Sequence, residues 1–138
     1  MSRGLDPNRE SIASSTVEDY LKVIHEICQR SKAGIALNGQ IADELQLVPG
    51  SVTVMVQRLA KMGLVAYEAH RGCQLTAAGL DIAERVIRRH CTLERFLAHV
   101  LGLDAERVHD EAENLEHAAS DALITEIQRY LCCPRRAA

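Results

Sequence analysis

Aromatic residues are almost missing from this chain, which has three tyrosines, one phenylalanine and no tryptophan among 138 residues. A core must then be aliphatic. With few prolines and few β-branched runs, such a core favours helices. No apolar run approaches the roughly 20 residues that span a bilayer, so a membrane helix is not expected. The opening residues, Met1-Ser-Arg-Gly-Leu-Asp-Pro-Asn-Arg9, lack the apolar stretch of a secretory signal, and the expected location is the cytoplasm. The cysteines, Cys28, Cys73, Cys91, Cys132 and Cys133, are odd in number and contain no CxxC pair. That pattern argues against a disulfide scaffold and against a structural zinc site. No nucleophile motif and no glycine-rich phosphate loop is present, so the chain is not expected to be an enzyme. An excess of positive charge is missing too, with a formal net charge of −3.

What remains is ordinary for a soluble globular protein: 47% hydrophobic and 25% charged residues, enough for one compact domain or two small subdomains. The charge is unevenly placed. Residues 104–117 carry Asp104, Glu106, Asp110, Glu111, Glu113 and Glu116 against Arg107 alone. Residues 38–76 are balanced, with Arg58, Lys61 and Arg71 against Asp43, Glu44 and Glu68. The acidity is therefore local, as expected of a region that bound cations would offset.

Hydrophobic spacing predicts a mainly α-helical fold with one small β-hairpin. Residues 1–15 read as a mobile polar tail, and Ser15-Thr-Val-Glu18 as a capping box opening the first helix. Asn38 is the expected N-cap of a short helix to Leu45. After the turn Gln46-Leu-Val-Pro49, a second helix is expected from Gly50 to Met62, stopped by Gly63. Strands at Leu64–Glu68 and Cys73–Thr76 make a hairpin, and a hairpin after a helix-turn-helix is a wing. Thr76 should cap a long helix to His99 with Leu80, Ala83, Ile87, Cys91, Leu93 and Leu97 inward. Asp104 and Ser120 should cap the last two helices. The expected division is 1–15 tail, 16–76 winged helix-turn-helix, and 77–138 helical domain.

Two constellations carry chemistry. In a winged helix-turn-helix the second helix enters the major groove with its first residues facing base edges. Those residues are Pro49, Gly50, Ser51, Thr53 and Val54, with Val54 suited to a thymine methyl. Gln57, Arg58 and Lys61 stand further along, placed for phosphates, and Arg71 at the wing tip reaches a phosphate or the minor groove. The second constellation is His109-Asp-Glu-Ala-Glu113-Asn-Leu-Glu116-His117, whose residues 109, 113, 116 and 117 share one side of a helix. Crowded carboxylates repel one another unless a cation is present. Oxygen and nitrogen donors without thiolate suit Mn²⁺, Fe²⁺, Co²⁺ or Zn²⁺. His90 and Glu94, four apart on the long helix, form a second ligand pair that His109 can complete. Asp19 is a remote candidate that also reads simply as an acid favouring a helix N-terminus.

With these residues in place, the chain resembles the diphtheria-toxin-repressor family, including the manganese transport regulators. The resemblance rests on Val17-Glu-Asp19-Tyr20-Leu21, Val56-Gln-Arg-Leu-Ala-Lys-Met-Gly63-Leu64-Val65, Arg71-Gly72-Cys-Gln-Leu75-Thr76-Ala-Ala-Gly79, Arg89-His90-Cys-Thr-Leu-Glu94-Arg-Phe-Leu97 and Val108-His109-Asp110-Glu111-Ala112 with Glu116-His117. It runs in order over about residues 16–131. The resemblance implies a DNA-binding winged helix, a helical dimerisation domain, and a metal-loaded homodimer that represses metal-uptake genes at a double-stranded operator. It also implies an activating metal site at Asp19, Glu113, Glu116 and His117 and a second site at His90, Glu94 and His109. Iron-type members place Met and Cys where this chain has Asp19 and Glu113, so Mn²⁺ is favoured over Fe²⁺. Lys22 stands where some manganese regulators with paired metals have Glu, which argues against that arrangement. A short form without the family's SH3-like domain is expected. The rival readings are a winged-helix regulator sensing an organic ligand or oxidation of Cys132-Cys133, and a metal-dependent hydrolase with Glu113 or Glu116 as base.

Overall fold

A computed structural model describes the backbone over residues 7–132 and side chains over residues 15–132. Cys133 and the C-terminal Pro134-Arg-Arg-Ala-Ala segment lie outside the described residues, as does the start of the expected N-terminal tail. The order of elements is α1 (Pro7–Arg30), α2 (Asn38–Leu45), α3 (Pro49–Lys61), β1 (Val65–Glu68), β2 (Gly72–Leu75), α4 (Ala77–His99), α5 (Ala105–Glu116) and α6 (Asp121–Cys132). This is the mainly helical fold with a two-stranded hairpin that the periodicity implies. Among the described residues no helix is long and apolar enough to cross a membrane. The chain divides into two compact units, Met1–Glu84 and Arg85–Ala138, with the division falling inside α4.

The first unit is the winged helix-turn-helix. Its core is aliphatic: Leu21 and Ile24 of α1, Ile41 of α2, and Val52, Val56 and Leu59 of α3 are all fully buried. β1 and β2 pair antiparallel, with Val65 opposite Leu75 and Glu68 opposite Gly72. A bridge from Ala36 to Cys73 widens the hairpin, through Ala36 N–H to the Cys73 carbonyl at 2.9 Å and the reverse bond at 2.8 Å. Gly79 lets α4 leave the wing tightly, because a Cβ there would stand 2.0 Å from the Leu64 carbonyl oxygen. Thr76 performs as expected, its hydroxyl accepting from the Gly79 N–H at 3.2 Å and donating to the Gly63 carbonyl at 2.6 Å.

Three local expectations are corrected. Helix α1 opens at Pro7, ahead of the Ser15 box, so residues 7–15 are helical rather than a loose tail. Proline is pre-organised for a first helical turn, which accounts for the start at Pro7. Asn38 is not an N-cap. It already lies in α2, where Leu37 precedes the helix and its N–H donates to the Gln40 side chain at 2.9 Å. On α4, Leu80 and Cys91 are exposed, and the inward stripe is Ala83, Val86, His90, Leu93 and Leu97. Two polar residues, His90 and Thr92, are buried on this helix, and His90 takes a place on the stripe that spacing alone would give to an apolar one.

The second unit packs Leu93 and Leu97 of α4 with Val108 and Ala112 of α5 and Ile124 and Ile127 of α6. Asp104 caps α5 by accepting the Arg107 N–H at 3.0 Å, and Ser120 caps α6 by accepting the Leu123 N–H at 3.1 Å. Both caps fall where the sequence places them.

Candidate metal centre and nucleic-acid interface

In the second unit, α5 buries Val108, Ala112 and Glu116 along one stripe, so a carboxylate occupies the third core position. Glu116 is only 1% exposed. Its Oε2 lies 2.6 Å from His90 Nδ1, and its Oε1 lies 3.4 Å from His117 Nε2. The other nitrogen of His90 meets Glu94, four residues on along α4. Glu94 Oε1 is in turn 3.1 Å from His109 Nδ1, and His109 Nε2 is 3.1 Å from Glu113 Oε1. The two rings of His90 and His109 meet edge to face, with centroids 5.0 Å apart.

The result is one continuous relay of imidazole and carboxylate from the core to the surface. It runs from Glu116 through His90, Glu94 and His109 to Glu113. Burial pushes the Glu94 carboxyl up, but the hydrogen bonds and charges of His109 and His90 outweigh it and hold the group below the ordinary carboxylate range. Ligand atoms of His90, Glu94 and His109 all lie within 4.8 Å of one another. Two imidazole nitrogens and a carboxylate oxygen so disposed are a donor set that a divalent cation can bridge with bonds of roughly 2.0–2.2 Å. The residues therefore fit such a cation.

Of the residues expected to ligate, the second unit brings together His90, Glu94, His109, Glu113, Glu116 and His117. Asp19 stands half-buried on α1 of the first unit. The four-residue stripe at 109, 113, 116 and 117 is split by depth, with His109 and Glu113 open to solvent and Glu116 in the core. Two features had no visible signal in sequence. The contact between His90 and Glu116 joins residues on different helices. Spacing assigns Arg89 no role of its own, yet its guanidinium donates to the Glu116 main-chain carbonyl at 3.4 Å and pairs with Asp121 at the start of α6. That guanidinium, by hydrogen bond and charge, holds the Asp121 carboxyl below its usual range.

In the first unit, α3 turns Pro49, Gly50, Ser51, Val54, Gln57, Arg58 and Lys61 to solvent, while Val52, Val56 and Leu59 face the core. Arg58 and Lys61 lie in the last turn. There the cations also complement the helix dipole. Arg71 is exposed at the wing, 3.6 Å from Glu68. Thr53 differs from its neighbours. It is half-buried, accepting from Asn38 Nδ2 at 3.2 Å and donating to the Pro49 carbonyl at 3.1 Å.

Comparison with known proteins sets these features in a family. Residues 13–73 match the N-terminal DNA-binding domain of the iron-dependent repressors, and residues 76–137 match their metal-binding and dimerisation domain. The transcriptional regulator MntR of Lysinibacillus sphaericus is 38% identical over 105 residues, 76% of this chain and 73% of that protein. A helix-turn-helix regulator of Methanocaldococcus jannaschii is 33% identical over 118 residues, 86% of this chain and 94% of its own length. Among solved structures, the manganese regulator SloR is 34% identical with a TM-score of 0.71, covering 83% of this chain and 53% of SloR. A manganese-dependent transcriptional repressor solved with manganese is 36% identical with a TM-score of 0.74, covering 83% of this chain and 52% of that one. The chain thus spans about half the length of these solved relatives. Two adjoining domain matches, in the order the sequence motifs run, are decisive: the chain belongs to the iron-dependent, or diphtheria-toxin, repressor family.

Proposed function

We propose that this chain is a divalent-cation-activated transcriptional repressor, with Mn²⁺ favoured over Fe²⁺, that acts in the cytoplasm as a homodimer on an operator controlling metal-uptake genes. The observation that carries the reading is the buried Glu116 carboxylate at the head of an imidazole–carboxylate relay, in a chain that also bears a winged helix-turn-helix. A buried carboxylate is costly unless partnered, and here its partners are themselves metal-binding groups. His90, Glu94 and His109 would hold one cation. Asp19, Glu113, Glu116 and His117 would hold the activating one, with hard oxygen donors suiting Mn²⁺.

A bound cation supplies positive charge that offsets the crowded carboxylates of α5. The rest of the mechanism belongs to the protein's own residues. Asp19 comes from α1 of the first unit and Glu113, Glu116 and His117 from the second. Their joint engagement favours one arrangement of the reading head through differential affinity. In a two-fold dimer that arrangement sets two α3 helices at half-sites roughly one helical turn apart. The exposed Leu101, Leu115 and Leu123 of the second unit support a self-association surface. Pro49, Gly50, Ser51 and Val54 would face base edges, with Thr53 between them tied into the motif, and Gln57, Arg58, Lys61 and Arg71 the backbone.

Titration calorimetry with Mn²⁺, Fe²⁺ and Zn²⁺, run beside DNA affinity in each metal, tests the proposal. Metal binding without any change in DNA affinity would remove it.

A further inference from the structure

The N-cap and second turn of α3 expose valine where a reading head would ordinarily be polar. Val48, at the N-cap position, makes no side-chain cap and is 70% exposed, and Val54 is 67% exposed. An N-cap is the place where Ser, Thr, Asp or Asn stabilises a helix, so valine there forgoes a local gain and leaves apolar surface in water. Ser51 is the one exposed hydroxyl in these turns. Thr53 is committed inside the motif, its proton on the Pro49 carbonyl and one lone pair on Asn38. The bond to Asn38 links α2 to α3, and together the two bonds occupy the hydroxyl's proton and one lone pair within the motif.

Among the groups on base edges in the major groove, the thymine C5-methyl alone is apolar, and the rest donate or accept hydrogen bonds. A valine placed against a donor or acceptor would leave that group dry and unpaired. We infer that Val48 and Val54 read thymine methyl groups in the major groove, and that Thr53 takes no part in base recognition. The inference rests on the assignment of α3 as the recognition helix. Arg58 and Lys61, at the far end of α3, then supply attraction to phosphate that is indifferent to sequence.

The test begins with the full chain and Mn²⁺, selecting duplexes from a random pool. Each thymine of the enriched duplex is then replaced singly by deoxyuridine, which deletes only the methyl. Loss of one buried methyl should weaken binding about fourfold. Two positions in each half-site should respond. Val54→Ala should abolish the response at one and Val48→Ala at the other, a coupling read by a double-mutant cycle. Thr53→Val should select the same duplex as the parent. Val54→Gln should move the preferred base at its position towards adenine. An enriched duplex indifferent to deoxyuridine, or a response that persists in both alanine variants, overturns the thymine assignment and leaves the repressor standing. A changed selection with Thr53→Val overturns the second half. Failure to enrich any duplex at any Mn²⁺ concentration overturns the DNA-binding reading and this inference together.

Discussion

Glu116 occupies a place that leucine or alanine would fill in an ordinary amphipathic helix. Its neighbours on the stripe, Val108 and Ala112, are the expected kind. The carboxylate is tolerated because His90 holds one oxygen at 2.6 Å and His117 lies 3.4 Å from the other. Replacing it with alanine removes a metal donor and leaves the buried Nδ1 of His90 without its partner, which costs about 1–3 kcal/mol. Glu116→Ala should therefore abolish metal-stimulated DNA binding and also lower the melting temperature of the metal-free chain. His117→Ala, at a partly exposed position, should lose the stimulation with little change in melting. Gel-shift titration and thermal melts with and without Mn²⁺ measure both. Equal melting of the two variants would show that Glu116 contributes nothing structural.

The cysteines divide by the same logic of depth. Cys91 and Cys132 are exposed, Cys28 is half-buried and Cys73 is buried. Burial, joined by repulsion from Cys28, pushes the Cys73 thiol from 9.0 to about 12. The native chain should modify rapidly at Cys91 and Cys132 with a thiol reagent near pH 8, and at Cys73 only after unfolding. The sign of the linkage follows. The folded chain holds this proton more tightly than the unfolded one, so stability is undiminished below about pH 9 and falls as pH rises towards about 12. Urea midpoints that stay level across that window would contradict it.

At the scale of elements, how much was legible depends on how local the signal is. Thr76, Asp104 and Ser120 cap their helices where expected, because a cap is written within four residues of the helix it opens. The wing was legible for the same reason, from two short apolar runs around Ala69-His70-Arg71-Gly72. Asn38 misled because its residue type marks a cap while its side chain serves α3 instead. The His90–Glu116 contact was invisible because it depends on how α4 and α5 face each other, which spacing along one helix does not encode. The glycines give an element-level test of close packing. A Cβ on Gly79 would meet the Leu64 carbonyl at 2.0 Å, whereas one on Gly50 meets nothing within 4 Å. Gly79→Ala should destabilise the first unit by about 1–3 kcal/mol or more, through overpacking against rigid backbone. Gly50→Ala should leave stability level or raise it by about 0.4–1 kcal/mol. Chemical denaturation of the two variants side by side decides the point, and a tolerated Gly79→Ala would mean that α4 can shift away from β1.

For the whole molecule the question is how a cation changes the DNA contacts of α3 and the wing, which carry none of its proposed ligands. The net charge of −3 and the acidity of residues 104–117 work against DNA, and the basic residues of α3 are few. Two effects of metal are therefore separable. One is general, since neutralised carboxylates reduce repulsion of phosphate everywhere. The other is specific and requires Asp19, the one proposed ligand on the first unit. If coupling between the units matters, Asp19→Ala should keep His90, Glu94 and His109 able to bind Mn²⁺ yet lose most of the stimulation of DNA binding. It should also lose part of the thermal stabilisation by Mn²⁺, which for a single site is about 2.7 kcal/mol at a hundredfold excess over Kd. Asp19→Met, with a thioether in place of hard oxygen, should respond better to Fe²⁺ than to Mn²⁺. Salt separates the two effects further. Arg58→Ala and Lys61→Ala should each flatten the slope of log K against log salt by about one, with or without metal, because each removes one phosphate contact. The Asp19 variants should leave that slope as it is and lower affinity only in the presence of metal. Should Asp19→Ala retain full stimulation by Mn²⁺, the cation would be acting by charge alone, and the first helix would have no part in the switch.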